Sequence, residues 1–453
     1  MKRGAAPKAK ARAKADVRGR AVEALRGVLE KGRFAAPLVG ELGRGLSAAD
    51  EGLLRELVLG VLRWKSALDA EVAAACRIPL GKLAPNLREI LEVAVYQLRH
   101  LDRVPPYAAV NEAVEGARSS GGEGAARLVN GVLRSLQRRP LSDAEAGSPG
   151  ELARRFSHPP FLVERWVARF GLERTQAILQ ADNAAPRLDL LANPRRTSLE
   201  GLRAELSAEG VETESVPSAP LALTVVSGNP LRSARFGEGH FSVQDVGAQV
   251  LPLLLPAGDL LLDLAAAPGG KSLAAVAYGR ARHTAAMDRS WARLQRVVEN
   301  TLRLGVPEVR PVAADFSALP FASGGFDRIL LDAPCSGTGT LGKNPDIRYR
   351  VSAAAIEGLA RVQEEALRAA ASLLAPGGYL LYSTCSLEEE ENERVVDRVS
   401  ASLPDLAPAP IERPSGLDAE AGAGRVRFFP DGRSDGFTAH LLVRHPTAER
   451  RAP

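Results

Sequence analysis

The sequence predicts a three-part chain: an all-α front domain, a small α+β module, and a C-terminal α/β domain built on a parallel sheet. Three observations predict it. From about Val22 to Leu136 apolar residues recur at helical spacing. Between about Arg154 and Phe241 short apolar runs alternate with helical patterns. Beyond Gln244, the stretches LLLDLAAAPGGKS, FDRILLDAP and YSTCSLEEEEN run from apolar strands into small-residue or acidic turns, where open α/β sheets bind ligands.

The bulk properties agree. A length of 453 residues accommodates roughly three domains. Hydrophobic content of 45% with 25% charged residues describes a soluble globular chain with a sizeable core. Three cysteines exclude a disulfide framework and point to a reducing, cytoplasmic setting. No apolar run reaches membrane-span length, and no signal-peptide core follows the start, so no membrane is expected. A net charge of +5 is compatible with a nucleic-acid partner without requiring one.

In chain order, residues 1–20 are Ala-rich and basic, and are expected to be a disordered arm. Its Lys2, Arg3, Lys8, Lys10, Arg12 and Lys14 would either neutralise phosphates or only solubilise the chain. Residues 21–140 read as the helical domain. Ser47 and Asp50 form a capping box before a helix carrying Leu53, Leu54, Leu57, Val58, Val61 and Leu62. A second helix carries Leu87, Ile90, Leu91 and Leu98 and is closed off by Val104-Pro105-Pro106. A third runs through Val110, Ala113 and Val114, and a fourth through Leu128, Val129, Val132, Leu133 and Leu136.

Leu141 to Glu151 reads as a polar linker. Residues 151–243 make the small module: a helix with Trp166 and Phe170 on one face, strands at LDLLANP and LALTVVSG, and a helix around Leu202 to Leu206.

Residues 244–445 make the α/β domain. The turn Ala265, Ala266, Ala267, Pro268, Gly269, Gly270, Lys271 follows an apolar strand and opens a helix. It lacks the glycine a phosphate loop needs six positions before its lysine, and alanines stand where a dinucleotide fingerprint has glycines. Small residues still let the backbone approach a ligand, although a tight strand-to-helix connection would also use them. Asp288, Asp315 and Asp332 each close one of the next three strands. A solvated turn aspartate explains any one of them but not the set, and carboxylates suit the hydroxyls and amines of adenosine. A Rossmann-like methyltransferase domain using S-adenosyl-L-methionine is the expected reading.

Cys335 and Cys385 stand just past the ends of two of these strands. Free cysteine is often a small buried hydrophobe, and position alone leaves that reading open.

Two resemblances go further. NLREILEVAVYQLRHLDRVPPYAAVNEAVEGAR with RLVNGVLRSL resembles the NusB-type RNA-binding helical domain. Asn130 is expected to pack within it, and Arg134, Arg138 and Arg139 to meet phosphates. DLAAAPGGKS, LLDAPCSGTGTL, NPDIRYR and YSTCSLEEEENE resemble, in order, the motifs of RNA cytosine-5 methyltransferases, specifically the bacterial 16S ribosomal RNA methyltransferase B group. That resemblance implies Cys385 as the nucleophile adding to carbon 6 of cytosine and Cys335 as the thiol assisting loss of the carbon 5 proton. It also implies Asp332 on the base near ring nitrogen 3 and Lys271 steadying the site and the Cys385 thiolate. The Glu388 to Glu391 run is expected only to begin the next helix. The chain departs from the family at Gly342-Lys343, at Leu191-Ala192-Asn193 and at Thr438.

The implied function is methylation of carbon 5 of a cytosine in 16S ribosomal RNA through a cysteine–base adduct, by a monomer without metal. The alternatives are the same chemistry on transfer RNA or another ribosomal site, and a catalytically silent RNA-binding assembly factor.

Overall fold

A computed structural model describes residues 16–139 and 147–446. They group into two units: Met1–Asn183 with Asn344–Arg350, and Ala184–Lys343 with Val351–Pro453. The lysines and arginines of the expected arm, Lys2 to Lys14, lie outside the described residues.

In the first unit, α1 (Val17–Leu29) begins where the carboxylate of Asp16 accepts the Gly19 N–H at 2.8 Å. Val17 to Arg20, expected in the arm, are therefore helical. Val17 is the first member of a buried stripe that continues through Ala21, Ala24, Leu25 and Val28, and it has no visible periodicity until those are counted with it. Helix α2 spans Ala35–Gly43 and α3 spans Ala48–Ala75, with Ser47 accepting the Asp50 N–H as expected. Helix α4 (Pro85–His100) stops ahead of the two prolines. The expected third and fourth helices are both present, as the two halves of α5 (Pro106–Gln137), and meet at Gly122, whose positive φ of 72° is non-helical and suits glycine. Arg134, Arg138 and Arg139 are exposed near its end, and Asn130 is half-buried.

The expected linker is helical at its far end. Ser148 and Glu151 make a reciprocal capping box for α6 (Pro149–Arg155). The signal, a Ser-x-x-Glu with proline at the first helical position, lies in the sequence but was masked by its polar composition. Helix α7 (Pro160–Phe170) buries Trp166, and α8 (Leu172–Asn183) follows.

The seven residues Asn344–Arg350 also belong to this unit. They carry a 3-10 turn, Pro345–Tyr349, whose Arg348 is buried. Its guanidinium reaches the carbonyl oxygens of Arg63 (2.6 Å), Phe156 (3.3 Å), Ser157 (3.2 Å) and Asp182 (3.2 Å), and Oδ1 of Asn183 (2.9 Å). Tyr349 donates its hydroxyl to the Leu62 carbonyl at 2.5 Å.

The second unit holds two sheets. The smaller is antiparallel, in the order β2 (Glu212–Ser215), β3 (Ala222–Ser227), β1 (Asp189–Ala192), β4 (Phe241–Val243). Helix α9 (Leu199–Ala208) buries Leu202 and Leu206 against it, and a short helix, α10 (Ala234–Gly237), precedes β4. Sequence pattern found β1, β3 and α9; the short, polar β2 and the three-residue β4 carry no comparable signal. Asn193, just past β1, is buried: its amide donates to the carbonyls of Gly239 and Leu304 at 2.8 Å each.

After α11 (Val246–Val250) comes the larger sheet. Its parallel part is β5 (Gly258–Asp263), β6 (Ala281–Asp288), β7 (Val309–Ala313), β8 (Phe326–Asp332) and β9 (Leu374–Thr384). Helices α12 (Gly270–Ala277), α13 (Trp291–Leu304) and α14 (Ala353–Leu373) lie between these strands in sequence. Helix α15 (Glu393–Ser402) and strands β10 (Leu406–Pro408), β11 (Ala419–Gly422), β12 (Arg425–Phe428) and β13 (Phe437–Arg444) complete the unit. The spatial order is β11-β12-β13-β9-β8-β5-β6-β7, with β10 beside β13; β13 is antiparallel to β9. Strand order reverses between β5 and β8, the point where such sheets open a ligand crevice beyond their carboxyl ends. Among the described residues no helix is long and apolar enough to cross a membrane.

Candidate active site

Strand register sets the site. Asp263 closes β5, and Asp332 closes β8 directly opposite Ser383 of β9. Lys271, in the first turn of α12, donates to Asp332 Oδ2 at 2.6 Å, and Ser383 donates to Oδ1 at 3.0 Å. Burial opposes charge on Lys271, but the Asp332 carboxylate outweighs it and holds the ammonium's pKa above its ordinary value. The sulfur of Cys385 adds to that effect. The Lys271 ammonium also stands 5.6 Å from the ring centre of Phe437.

Beyond the strand ends the two thiols meet: Cys335 Sγ and Cys385 Sγ are 3.1 Å apart. The hydrogen bond with Cys385, reinforced by burial, pushes the Cys335 thiol well above its ordinary value. The structure thus joins Lys271 to Asp332 and Cys335 to Cys385, four residues singled out in sequence.

The other expected residues sort differently. Gly269 has φ of 98°, and a Cβ there would stand 3.2 Å from a methyl of Val297. Ala266 and Ala267 point into an apolar cluster with Leu273, Leu294 and Val297. Their smallness therefore serves packing. Amides of Leu264, Ala266 and Gly269 bond within the protein, to Leu330, Met287 and Ala266 carbonyls. The expected cradle of backbone donors is reduced accordingly. Ala265 and Gly270 are half-buried, and Pro268 is exposed.

Asp288, buried at the end of β6, accepts the Ser290 N–H at 2.9 Å and pairs with Arg293 at 3.2 Å; Arg293 also donates to the Ala267 carbonyl at 2.7 Å. Asp315 does not close its strand. It lies two residues past β7, where it accepts from the N–H and hydroxyl of Ser317. Those two bonds hold its carboxyl below the usual range.

Sequence reasoning passed over three groups. Asp263 sits inside a quoted motif, yet the count of acids began with the following strand. Its Oδ2 accepts from Ser272 at 2.6 Å, its buried Oδ1 has no partner among the described residues, and burial pushes its pKa up to about 6. Gln244 Oε1 is buried and likewise unpartnered, beside Gly270. The third is the acidic run. Instead of starting a helix, Glu389–Glu391 form a 3-10 turn ahead of α15, and Glu388, Glu390 and Glu391 are buried.

The departures from the family pattern also acquire places. Thr438 is buried, donates to the Ser386 carbonyl at 3.0 Å and accepts from Arg427 Nε at 3.1 Å. Lys343 pairs with Asp245 and, at 3.3 Å, with Asp435.

A parallel sheet with acids at its carboxyl ends and paired thiols beyond its switch point defines a Rossmann-like methyltransferase class. Comparison with known proteins narrows it. The family description "16S rRNA methyltransferase RsmB/F" matches residues 250–442, the RsmF/B-like ferredoxin-like domain matches 158–232, and the NusB family matches 15–138. Ribosomal RNA small subunit methyltransferase B of Klebsiella pneumoniae is 35% identical over 433 residues, 95% of this chain and 98% of its own. The probable ribosomal RNA small subunit methyltransferase B of Synechocystis sp. is 35% identical over 407 residues, 86% of this chain and 91% of its own. The crystal structure of PH0851 aligns with a TM-score of 0.77 at 25% identity, covering 96% of this chain and 100% of that one. The chain belongs to the RsmB/F family of 16S rRNA methyltransferases, with a NusB-like helical domain, a ferredoxin-like module and a methyltransferase domain.

Proposed function

We propose that this chain methylates carbon 5 of a cytosine in 16S ribosomal RNA, using S-adenosyl-L-methionine and a covalent cysteine–base adduct. The observation that carries this reading is the 3.1 Å approach of Cys335 and Cys385 beside the Lys271–Asp332 pair. Carbon 5 of cytosine is a poor nucleophile until a thiolate adds to carbon 6 and breaks the aromaticity. We assign that thiolate to Cys385, whose sulfur lies within reach of the Lys271 charge. Asp332, anchored by Lys271 and Ser383, accepts from the exocyclic amine of the base, and from ring nitrogen 3 only once that nitrogen has taken up a proton. After methyl transfer Cys335, its own proton first released to solvent, takes the carbon 5 proton, and the electron pair of that C–H bond re-forms the ring double bond and expels the Cys385 sulfur from carbon 6. The base reaches this pocket unstacked.

S-adenosyl-L-methionine would supply the electrophilic methyl group. The residues fit it: buried acceptor oxygens at Asp263 and Gln244 lack a donor, as an ammonium or hydroxyl would provide, and the carboxylate of Asp288 stands at the next strand end. We assign its binding to Asp263, Gln244, Asp288 and Asp332, with Ala265, Pro268 and Gly270 as the open positions of the turn and Asp315 at the rim. The working parts are residues 21–140 for RNA, 151–243 as the connecting α+β module and 244–445 for chemistry, acting as a monomer without metal in a reducing cytoplasm.

The test is methyl-labelled S-adenosyl-L-methionine with naked 16S RNA, assembled small subunits and bulk transfer RNA, followed by mapping of 5-methylcytosine. One labelled cytosine in naked 16S RNA is expected. Label confined to transfer RNA would overturn the substrate, and no label anywhere would overturn the activity.

A further inference from the structure

We propose that Glu391 is the positioning residue that holds the two thiols face to face; the proposal rests on Cys335 and Cys385 being the reacting pair. The β8–β9 ladder ends at Asp332 and Ser383, with one further backbone bond from the Ala333 N–H to the Ser383 carbonyl at 2.8 Å, so both cysteines lie beyond the strand pairing. The residue following each cysteine is instead tied to one carboxylate. Glu391 Oε1 accepts the Ser336 N–H at 2.8 Å. Its Oε2 accepts from the Ser386 hydroxyl at 2.5 Å and also from the Ser336 hydroxyl.

The two serine oxygens are 3.1 Å apart. Each hydroxyl has one hydrogen, and both hydrogens go to Glu391, so the carboxylate and not the serine pair closes the contact. Gln363 fastens the clamp from α14, donating to Oε1 at 3.1 Å and to the carbonyl of Pro334 at 2.9 Å. Tyr382 of β9 donates to the Glu391 carbonyl at 2.5 Å. Three further bonds cross between the turns: Gly339 N–H to the Cys385 carbonyl at 2.9 Å, Leu387 N–H to Thr338 Oγ1 at 3.0 Å, and Thr338 Oγ1 with Ser386 Oγ at 3.3 Å. All three grip the first turn three or more residues past its cysteine; among the described residues Glu391 is the one carboxylate that bonds both Ser336 and Ser386. A fully buried carboxylate with four donors is rigid, and an active site needs that rigidity where two reacting groups must keep a fixed separation.

The experiment uses the full chain in a Cys76→Ser background and measures three things: the rate of Cys335–Cys385 disulfide formation with diamide, kcat and KM for RNA, and S-adenosyl-L-methionine affinity. In the disulfide reaction the two thiols give up two hydrogens to the azo group, which becomes a hydrazine as the S–S bond forms. Thiols held in contact oxidise as a unimolecular pair, so the rate reports their proximity without RNA. Glu391→Ala is expected to slow disulfide formation and lower kcat by about tenfold or more, with KM and cofactor affinity within about twofold. Glu391→Gln is expected to recover part of both, because its carbonyl oxygen still accepts the Ser336 N–H. If Glu391→Ala does not fold, Glu391→Gln carries the test with a several-fold loss. Parent rates for both oxidation and turnover would overturn the proposal. Methylation surviving Cys385→Ala would sink the covalent reading instead, and the disulfide rate would still decide whether Glu391 sets the separation.

Discussion

Cys335 and Cys385, fifty residues apart in sequence, meet sulfur to sulfur at 3.1 Å beyond the carboxyl ends of adjacent parallel strands. We assign them different roles, Cys385 as the nucleophile and Cys335 in the elimination. Cys335→Ala is expected to accumulate a covalent RNA adduct, visible as a retarded band on a denaturing gel, because addition proceeds and elimination stalls. Cys385→Ala is expected to form no adduct and to lose methyl transfer by roughly three orders of magnitude or more. The reverse pattern would exchange the two assignments.

The Lys271–Asp332 pair spans the switch point of the sheet at 2.6 Å, with most of both side chains buried. Lys271→Met leaves the Asp332 carboxylate without its counter-charge and takes positive charge away from Cys385. We expect kcat to fall by about 10²–10³, the range for losing one preorganised electrostatic partner. Lys271→Arg should retain more of the activity. A Lys271→Met enzyme within twofold of the parent would show that the pair serves packing alone.

Arg348 tests a structural role. Burial lowers its pKa to about 10, leaving it charged at neutral pH, and its guanidinium meets five oxygens of the helical unit. Arg348→Met strands those acceptors, and a loss of about 2–4 kcal/mol is expected, read as a fall of several degrees in Tm. An unchanged Tm would mean that the oxygens find water or other donors.

His440 lies buried in β13 with Nε2 unpartnered among the described residues, and burial lowers its pKa to about 4. The unfolded chain has a histidine pKa of about 6.5, so below that value protons bind the unfolded state more readily. The stability His440 contributes is therefore complete above about pH 6.5 and is lost as pH falls toward 4, by roughly 3 kcal/mol in all. His440→Phe should narrow the gap in urea midpoint between pH 7 and pH 5. An unchanged gap would place the acid sensitivity elsewhere.

The sequence by itself determined the class of each part, because helical and strand periodicities are local and survive without knowing what they pack against. It also determined the chemistry on offer: Lys271, Asp332, Cys335 and Cys385 each stand out by their place at a strand end or turn. Tertiary structure decided what those residues meet, since register between β8 and β9 pairs Asp332 with Ser383 and the turns beyond bring the thiols together. It also overrode local appearance. Ala266 and Ala267 look like cradle residues and are core. Asp315 looks like a strand end and caps a turn. Glu391 looks like one of four solvated helix-start acids and is a fully buried clamp, and Arg348 leaves the α/β stretch of sequence to anchor in the helical unit. Pairing of this kind joins segments distant in sequence, 50 residues from Cys335 to Cys385 and 285 from Arg63 to Arg348, and a local pattern carries no information about such partners.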